Sequence, residues 1–402
     1  MGFFKMKFIH AADAHIDSPF VGLKQAPTAL WETIHASTFT AFKKLIQTAI
    51  DEAVDFVLLV GDSFDQEAQS LPVQKFLKQQ FERLADVDIP VYLSYGNHDY
   101  WDANQVHFEL PANVHVFGAQ VESFELTTKG HESVTIVGFS YDQRWLSADR
   151  VVDFPQRAST TYTIGTLHGS QKATADTDHY APFTISELNA CHYDYWALGH
   201  IHKRQILQER PAIVYPGNLQ GRHKNEPGEK GFYLVDTNDG QFDLTFKPTT
   251  VIEWQRQQFE VTPDMSLTQL QTALSAQLMQ SDHASLVALE LTHAERLSSD
   301  LLQRINNGEL LAVLQDQLEN SEPLHWPYAL KLRFAAQQQF SQIDQAYWEQ
   351  AAAAILTPDN ILEKAKPLMK ENFIREAIET PEFQADLKDL VTTILQEKKM
   401  GD

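Results

Sequence analysis

At 402 residues the chain exceeds the roughly 250–300 residues at which a single hydrophobic core stops growing, so more than one domain is expected. A composition 43% hydrophobic, 11% aromatic and 21% charged excludes disorder over most of the length, and a lone cysteine, Cys191, excludes an internal disulfide or a CxxC zinc site and fits a reducing cytoplasm. The formal net charge of −22 argues against nucleic-acid binding through a generally basic surface. It leaves room for an acidic metal-dependent nuclease, because bound cations dominate the field of their own site.

The apolar run at the start is too short for a secretory signal, and no later segment approaches the roughly 18 uninterrupted apolar residues of a membrane span. A soluble protein with no membrane partner is expected. From residue 7 a pattern repeats: a short apolar run, then a turn with Asp, Asn or His. Residues 7–12 lead to Asp13 and His15, 56–60 to Asp62, and 91–95 to Asn97 and His98; 161–167 lead to His168, and 193–198 to His200 and His202. Such runs read as strands buried on both faces, with functional groups at their ends. Helices are expected over 29–53 and 73–85; between 114 and 248 strands dominate, which points to two packed sheets with helices outside.

Near Thr249 these signals stop. Strands at 255–261, 284–292 and 328–334, with helices at 267–278 and 300–318, suggest a small α/β unit. Beyond Ser341 the chain reads as helical, with Thr357-Pro358 and Thr380-Pro381 as N-cap and first-turn signals. Leu387, Leu390, Val391, Ile394 and Leu395 then form an apolar stripe ahead of Lys398 and Lys399.

Taken one at a time, the chemical motifs have plain alternatives. Asp13 and His15 would point to one side of an extended segment and could share a cation, or could be an Asx-type turn beside an ordinary histidine. Asp62 emerges from Gly61-Asp62-Ser63-Phe64-Asp65, where its two oxygens could bridge two ions or cap a helix; Asp65 reads as a hydrogen-bonding support. In Gly96-Asn97-His98-Asp99 an amide oxygen ligand adjoins an imidazole able to move protons, and Asp99 could orient a histidine. His200 and His202 would share one side of an extended chain, and His168 ends another strand. Mixed oxygen and nitrogen donors suit Mn, Fe or Zn better than Mg or Ca.

In chain order, Asp-x-His, Gly-Asp-x-x-Asp, Gly-Asn-His-Asp, Gly-x-x-His and Gly-His-x-His resemble the calcineurin-like metallophosphoesterase superfamily. Within it, Gly61-Asp62-Ser63-Phe64-Asp65, the run 194–202 and Tyr215-Pro216-Gly217-Asn218-Leu219-Gln220-Gly221-Arg222 resemble the bacterial DNA-repair exonucleases of SbcD and YhaO type, the YhaO form more nearly. The resemblance covers about residues 5–235. It implies an α/β fold: a four-layer α-β-β-α catalytic sandwich over 1–248, a small α/β cap domain over 249–340 and a helical partner-docking region over 341–402.

It also implies roles. Asp13, His15, Asp62 and His202 would hold one divalent metal ion, and Asp62, Asn97, His168 and His200 a second, with manganese expected and Fe or Zn as alternatives. His98 would assist the leaving group, and Asp65 and Asp99 would stand behind the ligands. Ala14 replaces the bulkier residue many relatives carry, which affects substrate fit near the first ion. Lys203, Arg204, Arg222 and His223 follow the metal motifs closely and are candidate phosphate contacts; for Lys224 solvated surface charge is the simpler reading. Two cations roughly 3.5–4 Å apart would share a water, lower its pKa, and clamp the attacking and leaving oxygens of an in-line displacement.

The resulting expectation is a DNA exonuclease or nuclease subunit in DNA repair, working with a coiled-coil SMC-like ATPase. No Gly-x-x-x-x-Gly-Lys-Ser/Thr loop is present, so any ATP-dependent step belongs to that partner. Homodimerisation is left open. The alternatives are a phosphatase or cyclic-nucleotide phosphodiesterase on a small or protein substrate, favoured by the negative charge, and a non-catalytic scaffold stabilised by metal.

Overall fold

In β1 (Lys7–Ala11) neighbouring side chains serve different layers, which is why the run is apolar throughout: Phe8 enters a core between two sheets, and Ile9 enters a core between sheet and helices. The same alternation recurs in β2 (Phe56–Val60), where Leu58 joins the inter-sheet layer while Val57 and Leu59 face helices. These details come from a computed structural model that describes residues 6–20, 26–65, 69–101, 109–172, 180–281, 283–319 and 321–335, with 350, 354, 355, 357–366, 378, 383 and 387 beyond them.

The first sheet has the order β12-β11-β1-β2-β3-β4, adding β3 (Val91–Ser94), β4 (Val114–Val116), β11 (Gly231–Asn238) and β12 (Gln241–Pro248). Strands β1 to β4 are parallel, and β11 returns antiparallel to β1. Helices α1 (Thr28–Asp51) and α2 (Leu71–Ala85) make the crossovers; α1 buries Ile34, Ala41, Phe42, Leu45 and Ala49 at spacings of three, four and seven.

The second sheet runs β5-β6-β7-β8-β10-β9, with β5 (Glu122–Thr127), β6 (Ser133–Gly138), β7 (Tyr162–His168), β8 (Tyr195–Gly199), β9 (Gln205–Glu209) and β10 (Ala212–Tyr215). Its inner residues, among them Ile136, Ile164 and Val214, meet Phe8, Phe56 and Leu58 between the sheets. Its outer residues, including Leu167, Trp196 and Ile213, form a third apolar layer with Leu188 of α3 (Ile185–Ala190). Three apolar layers separate four layers of structure, as expected for the sandwich. Each fully buried Leu or Phe in them contributes about 1.5–3 kcal/mol.

A third sheet, β13-β14-β15 (Glu253–Glu260, Ser285–Thr292 and His325–Arg333), is joined by α4 (Leu267–Leu278), α5 (Ser299–Asn306) and α6 (Glu309–Leu318). The single helix expected over 300–318 is two. The chain turns left-handed at Gly308 (φ 80°), a conformation without steric cost only for glycine, and that ends α5 and starts α6.

By contact density the chain falls into two compact units, one of Met1–Phe259, Asp264–Leu291 and Ser298–Lys331, the other of Glu260–Pro263, Thr292–Leu297 and Leu332–Asp402. In the first, Trp254, Leu286 and Trp326 share a core with Leu30 and Ile34. In the second, Arg296 Nη1 bonds Glu260 Oε1 at 3.1 Å, and α7 (Pro358–Ala365) starts at Thr357, whose hydroxyl accepts the Asn360 N–H with Pro358 in the first turn. Thr380, Pro381 and the stripe from Leu390 to Leu395, with Lys398 and Lys399, lie outside the described residues. Among those described, no helix is long and apolar enough to cross a membrane.

Candidate metal centre

The parallel strands of both large sheets finish at a common edge. Ala11 pairs beside Leu59 and Val60 beside Ser94 in the first sheet, and His168 beside Gly199 in the second. The turns that follow therefore lie together at the carboxyl ends of strands, where α/β sheets place ligands. Glycine lets the two edges meet: a Cβ on Gly199 would stand 2.0 Å from the Val60 carbonyl oxygen, and one on Gly96 2.2 Å from Asp62 Oδ1 and 2.7 Å from His168 Nε2.

Convergence does not arise as expected from extended chain. Strand β1 ends at Ala11 and β8 at Gly199, and the backbone is left-handed at Asp13 (φ 51°), His15 (φ 39°), Asp62 (φ 51°) and His200 (φ 96°). Asp13 and His15 come together because their N–H groups donate to the carbonyls of Gly61 and Asp62, at 3.2 and 2.9 Å, pegging one turn to the next. His200 and His202 diverge: Nδ1 of His200 lies 3.1 Å from Asn97 Oδ1, whereas Nε2 of His202 lies 3.1 Å from Nε2 of His15. Such backbone costs about 1–3 kcal/mol per residue and concentrates where function demands it.

Two donor groups result. The atoms offered by Asp13, His15, Asp62 and His202 all lie within 4.8 Å of one another. Beside them, His168 Nε2 and His200 Nδ1 each approach Asn97 Oδ1 at 3.1 Å, and Asp62 Oδ2 stands 3.4 Å from His168 Nε2 and 3.6 Å from His15 Nε2, between the groups. Asp62 Oδ2 is buried without a hydrogen bond, and two imidazole nitrogens face each other, a costly arrangement unless something positive sits among them. Two nitrogens and two oxygens in each group match a divalent transition ion. The residues thus fit two cations with Asp62 shared.

Electrostatics agree with donors held ready. Burial, reinforced by Arg222, lowers His15 to about 3, and burial with the His168 charge keeps His200 well below the ordinary imidazole value, so both offer lone pairs. Burial opposes charge on His168 as well, but Asp62 and Asp13 outweigh it and raise its pKa to about 9. Its proton occupies a place a cation would take.

Behind the donors, carbonyls and carboxylates set the rings. His168 Nδ1 donates to the Val60 carbonyl at 3.1 Å, which turns Nε2 inward. His98 Nδ1 donates to the Asp65 carbonyl at 3.0 Å, and the His98 N–H to Asp62 Oδ1 at 2.9 Å; His98 lies beside the donor groups and in neither. The contacts of Asp99 are with backbone. Its oxygens accept the N–H groups of Gly96, Asp62, Ser63 and Phe64, at 2.6, 3.2, 2.7 and 3.3 Å, lacing two ligand turns together. Burial and then Asp62 push its pKa up to about 7 against those four donors.

Arg222, expected to meet phosphate, is instead turned inward: Nη1 donates to Asp65 Oδ1 at 2.7 Å and Nη2 to Glu226 Oε1 at 3.3 Å, with the side chain 12% exposed. Lys203 is exposed, Arg204 is exposed and stacks over Phe246 at 3.7 Å, and His223 is half exposed. Glu226 was not anticipated. Its Oε1 accepts His202 Nδ1–H at 2.7 Å, and its Oε2 accepts the Arg222 N–H and Asn218 Nδ2. The only trace of it in the sequence is an acid four residues after Arg222 in a polar loop.

A family model for calcineurin-like phosphoesterases matches residues 6–204. A protein of Bacillus subtilis (strain 168) described as the uncharacterized metallophosphoesterase YhaO is 38% identical over 333 residues, spanning 81% of this chain and 81% of its own. Two proteins described as the DNA double-strand break repair protein Mre11 are each 25% identical. That of Archaeoglobus fulgidus aligns over 347 residues, 76% of this chain and 73% of its own, and that of Methanocaldococcus jannaschii over 251, 60% and 65%. The chain belongs to the calcineurin-like metallophosphoesterases.

Proposed function

We propose that this metallophosphoesterase is a two-metal phosphodiesterase that acts as an exonuclease on DNA in repair, beside a coiled-coil ATPase. The carrying observation is the pair of donor groups that share Asp62 while His98 stands next to both and in neither. When bound, two divalent ions supply an activated water and offset the charge of the phosphate. Asp13, His15, Asp62 and His202 hold one ion; Asp62, Asn97, His168 and His200 hold the other. Manganese is the proposed metal, matched to the oxygen donors, with Fe or Zn, which imidazole suits, as the alternatives. With Nδ1–H committed to the Asp65 carbonyl, His98 would act in its doubly protonated form, giving the Nε2 proton to the leaving oxygen and being left as a neutral ring.

DNA as substrate is supported by the archaeal relatives, which are described as break-repair proteins. Lys203 and Arg204 are the cations proposed to meet phosphate, with His223 as a neutral hydrogen-bonding partner; Arg222, committed to Asp65 and Glu226, is left out of that set. The proposed organisation is a catalytic region 1–248, a cap 249–340 and a helical region 341–402 that docks the ATPase. The test uses Mn-loaded protein on end-labelled linear DNA and on bis-nitrophenyl phosphate. Nucleotide release from DNA that disappears in His98→Ala supports the reading, and hydrolysis confined to the small ester rejects it. A phosphatase or cyclic-nucleotide phosphodiesterase is the second reading, favoured by the net charge of −22, which repels a polyanion.

A further inference from the structure

We infer that Asp65, Arg222 and Glu226 form a buried brace behind His15 and His202, and that this brace makes the Asp13, His15, Asp62 and His202 half of the centre the tighter and first-filled one. The inference rests on the two-metal reading and adds an order of loading to it.

The two halves differ in what stands behind their imidazoles. In the first half His202 Nδ1 donates to a carboxylate, Glu226 Oε1, at 2.7 Å, and His15 Nδ1 lies 3.4 Å from another, Asp65 Oδ1. Arg222 ties these carboxylates together through its two terminal nitrogens, at 2.7 and 3.3 Å. With Asp65 and Arg222 each 12% exposed and Glu226 6%, little water screens the set, and its summed formal charge is −1. In the second half the outer nitrogen of His168 donates to the neutral Val60 carbonyl at 3.1 Å, with its nearest carboxylate oxygen, Asp13 Oδ1, at 3.9 Å, and His200 lies 4.3 Å from the Tyr180 ring.

The donors differ in the same direction. Asp13 and Asp62 bring two carboxylates to the first half, while the second has Asp62 and the neutral amide of Asn97. A carboxylate behind an imidazole raises its basicity and fixes its ring, and losing such support costs about 10- to 100-fold in metal affinity. Arg222 keeps two buried carboxylates from repelling each other and holds Asp65 off the cation. Glu226 and Arg222 are positioning residues, and both lie past residues 6–204 that the family model matches.

The test titrates metal-free protein with Mn2+ alone, read by calorimetry and electron paramagnetic resonance. Wild type should show two events about tenfold or more apart, with an uncoupled six-line spectrum at one equivalent. Glu226→Gln, which keeps the volume, should weaken the first event about 10- to 100-fold and bring coupled pairs in at one equivalent. Arg222→Lys should act likewise, since an ammonium lacks the planar fork that spans both carboxylates. His202→Ala should remove the tight event, and His200→Ala the weak one. Two equal sites in wild type, or unequal sites unchanged in natively melting Glu226→Gln and Arg222→Lys, would overturn the brace alone. Absence of any Mn2+ binding would sink the two-metal reading with it.

Discussion

The backbone N–H of His98 donates to Oδ1 of Asp62 at 2.9 Å, so the imidazole proposed to move protons hangs from the carboxylate proposed to join the two ions. Any shift of Asp62 is felt at His98 through one bond. Their roles nonetheless separate, because the His98 ring is anchored on the Asp65 carbonyl and not on a donor group.

Replacing His98 by alanine keeps that backbone bond and removes only the ring. Nucleotide release from linear DNA, whose alkoxide leaving group needs a proton, should fall about 10²- to 10⁴-fold, with the Mn2+ content by elemental analysis unchanged. Loss of bound metal in parallel would move His98 into the ligand set.

Gly96→Ala tests the close approach of backbone to ligand. Its Cβ would meet Asp62 Oδ1 at 2.2 Å and His168 Nε2 at 2.7 Å, both held by their own contacts. Overpacking of this kind costs about 1–3 kcal/mol. The variant should melt earlier and bind less than its full complement of metal; unaltered stoichiometry would show that Asp62 can step aside.

Cations should stabilise the fold, since they take up buried acids and an orphaned carboxylate oxygen. At a free Mn2+ concentration of 100 times the dissociation constant the gain is about 2.7 kcal/mol for one site. Melting of chelator-treated protein followed across a Mn2+ titration should show it. Asp62→Asn should flatten the curve, and an equal rise in that variant would mean the ions bind elsewhere.

His10 supplies a pH effect away from the metal. It is buried in β1 with Nε2 donating to the Leu198 carbonyl at 3.1 Å and Nδ1 accepting from the Tyr195 hydroxyl at 2.9 Å, a neutral ring with both nitrogens used. Burial lowers its pKa to about 3, so between pH 3 and 6.5 the unfolded chain binds the extra proton and the native state does not. Stability therefore falls as pH drops through that window, by up to about 1.4 kcal/mol per unit for this one group. Urea denaturation at pH 6.5, 5.5 and 4.5 should show a shallower slope for His10→Gln than for wild type; parallel slopes would remove His10 as a cause.

The sandwich was legible because strands buried on both faces cannot hide among polar residues: 56–60 and 193–198 announce themselves, and candidate ligands in turns such as Gly96-Asn97-His98-Asp99 follow directly. What the chain could not reveal was orientation. Left-handed backbone at Asp13 and His200 leaves no mark in composition, so the two Asp/His-x-His pairs looked extended. Arg222 was visible as a cation near the site, but which way it faces depends on Asp65, 157 residues away in the chain. Glu226 sits in a loop with no periodicity, and its significance appears only once His202 is brought to it. Gly308 lies within the single helix expected over 300–318, and the left-handed backbone that divides it leaves no mark in the apolar spacing.

Asp13, His15, Asp62 and Asn97 come from turns of the first sheet and His168, His200 and His202 from the second, with no strand of one sheet hydrogen-bonded into the other among the described residues. During synthesis, a ribosome that has released the chain up to Asn97 has delivered one histidine of the set and every oxygen donor. The remaining imidazoles emerge over seventy residues later, so the proposed donor set is complete only once the second sheet has docked. A filled centre is in that sense a certificate of completed assembly.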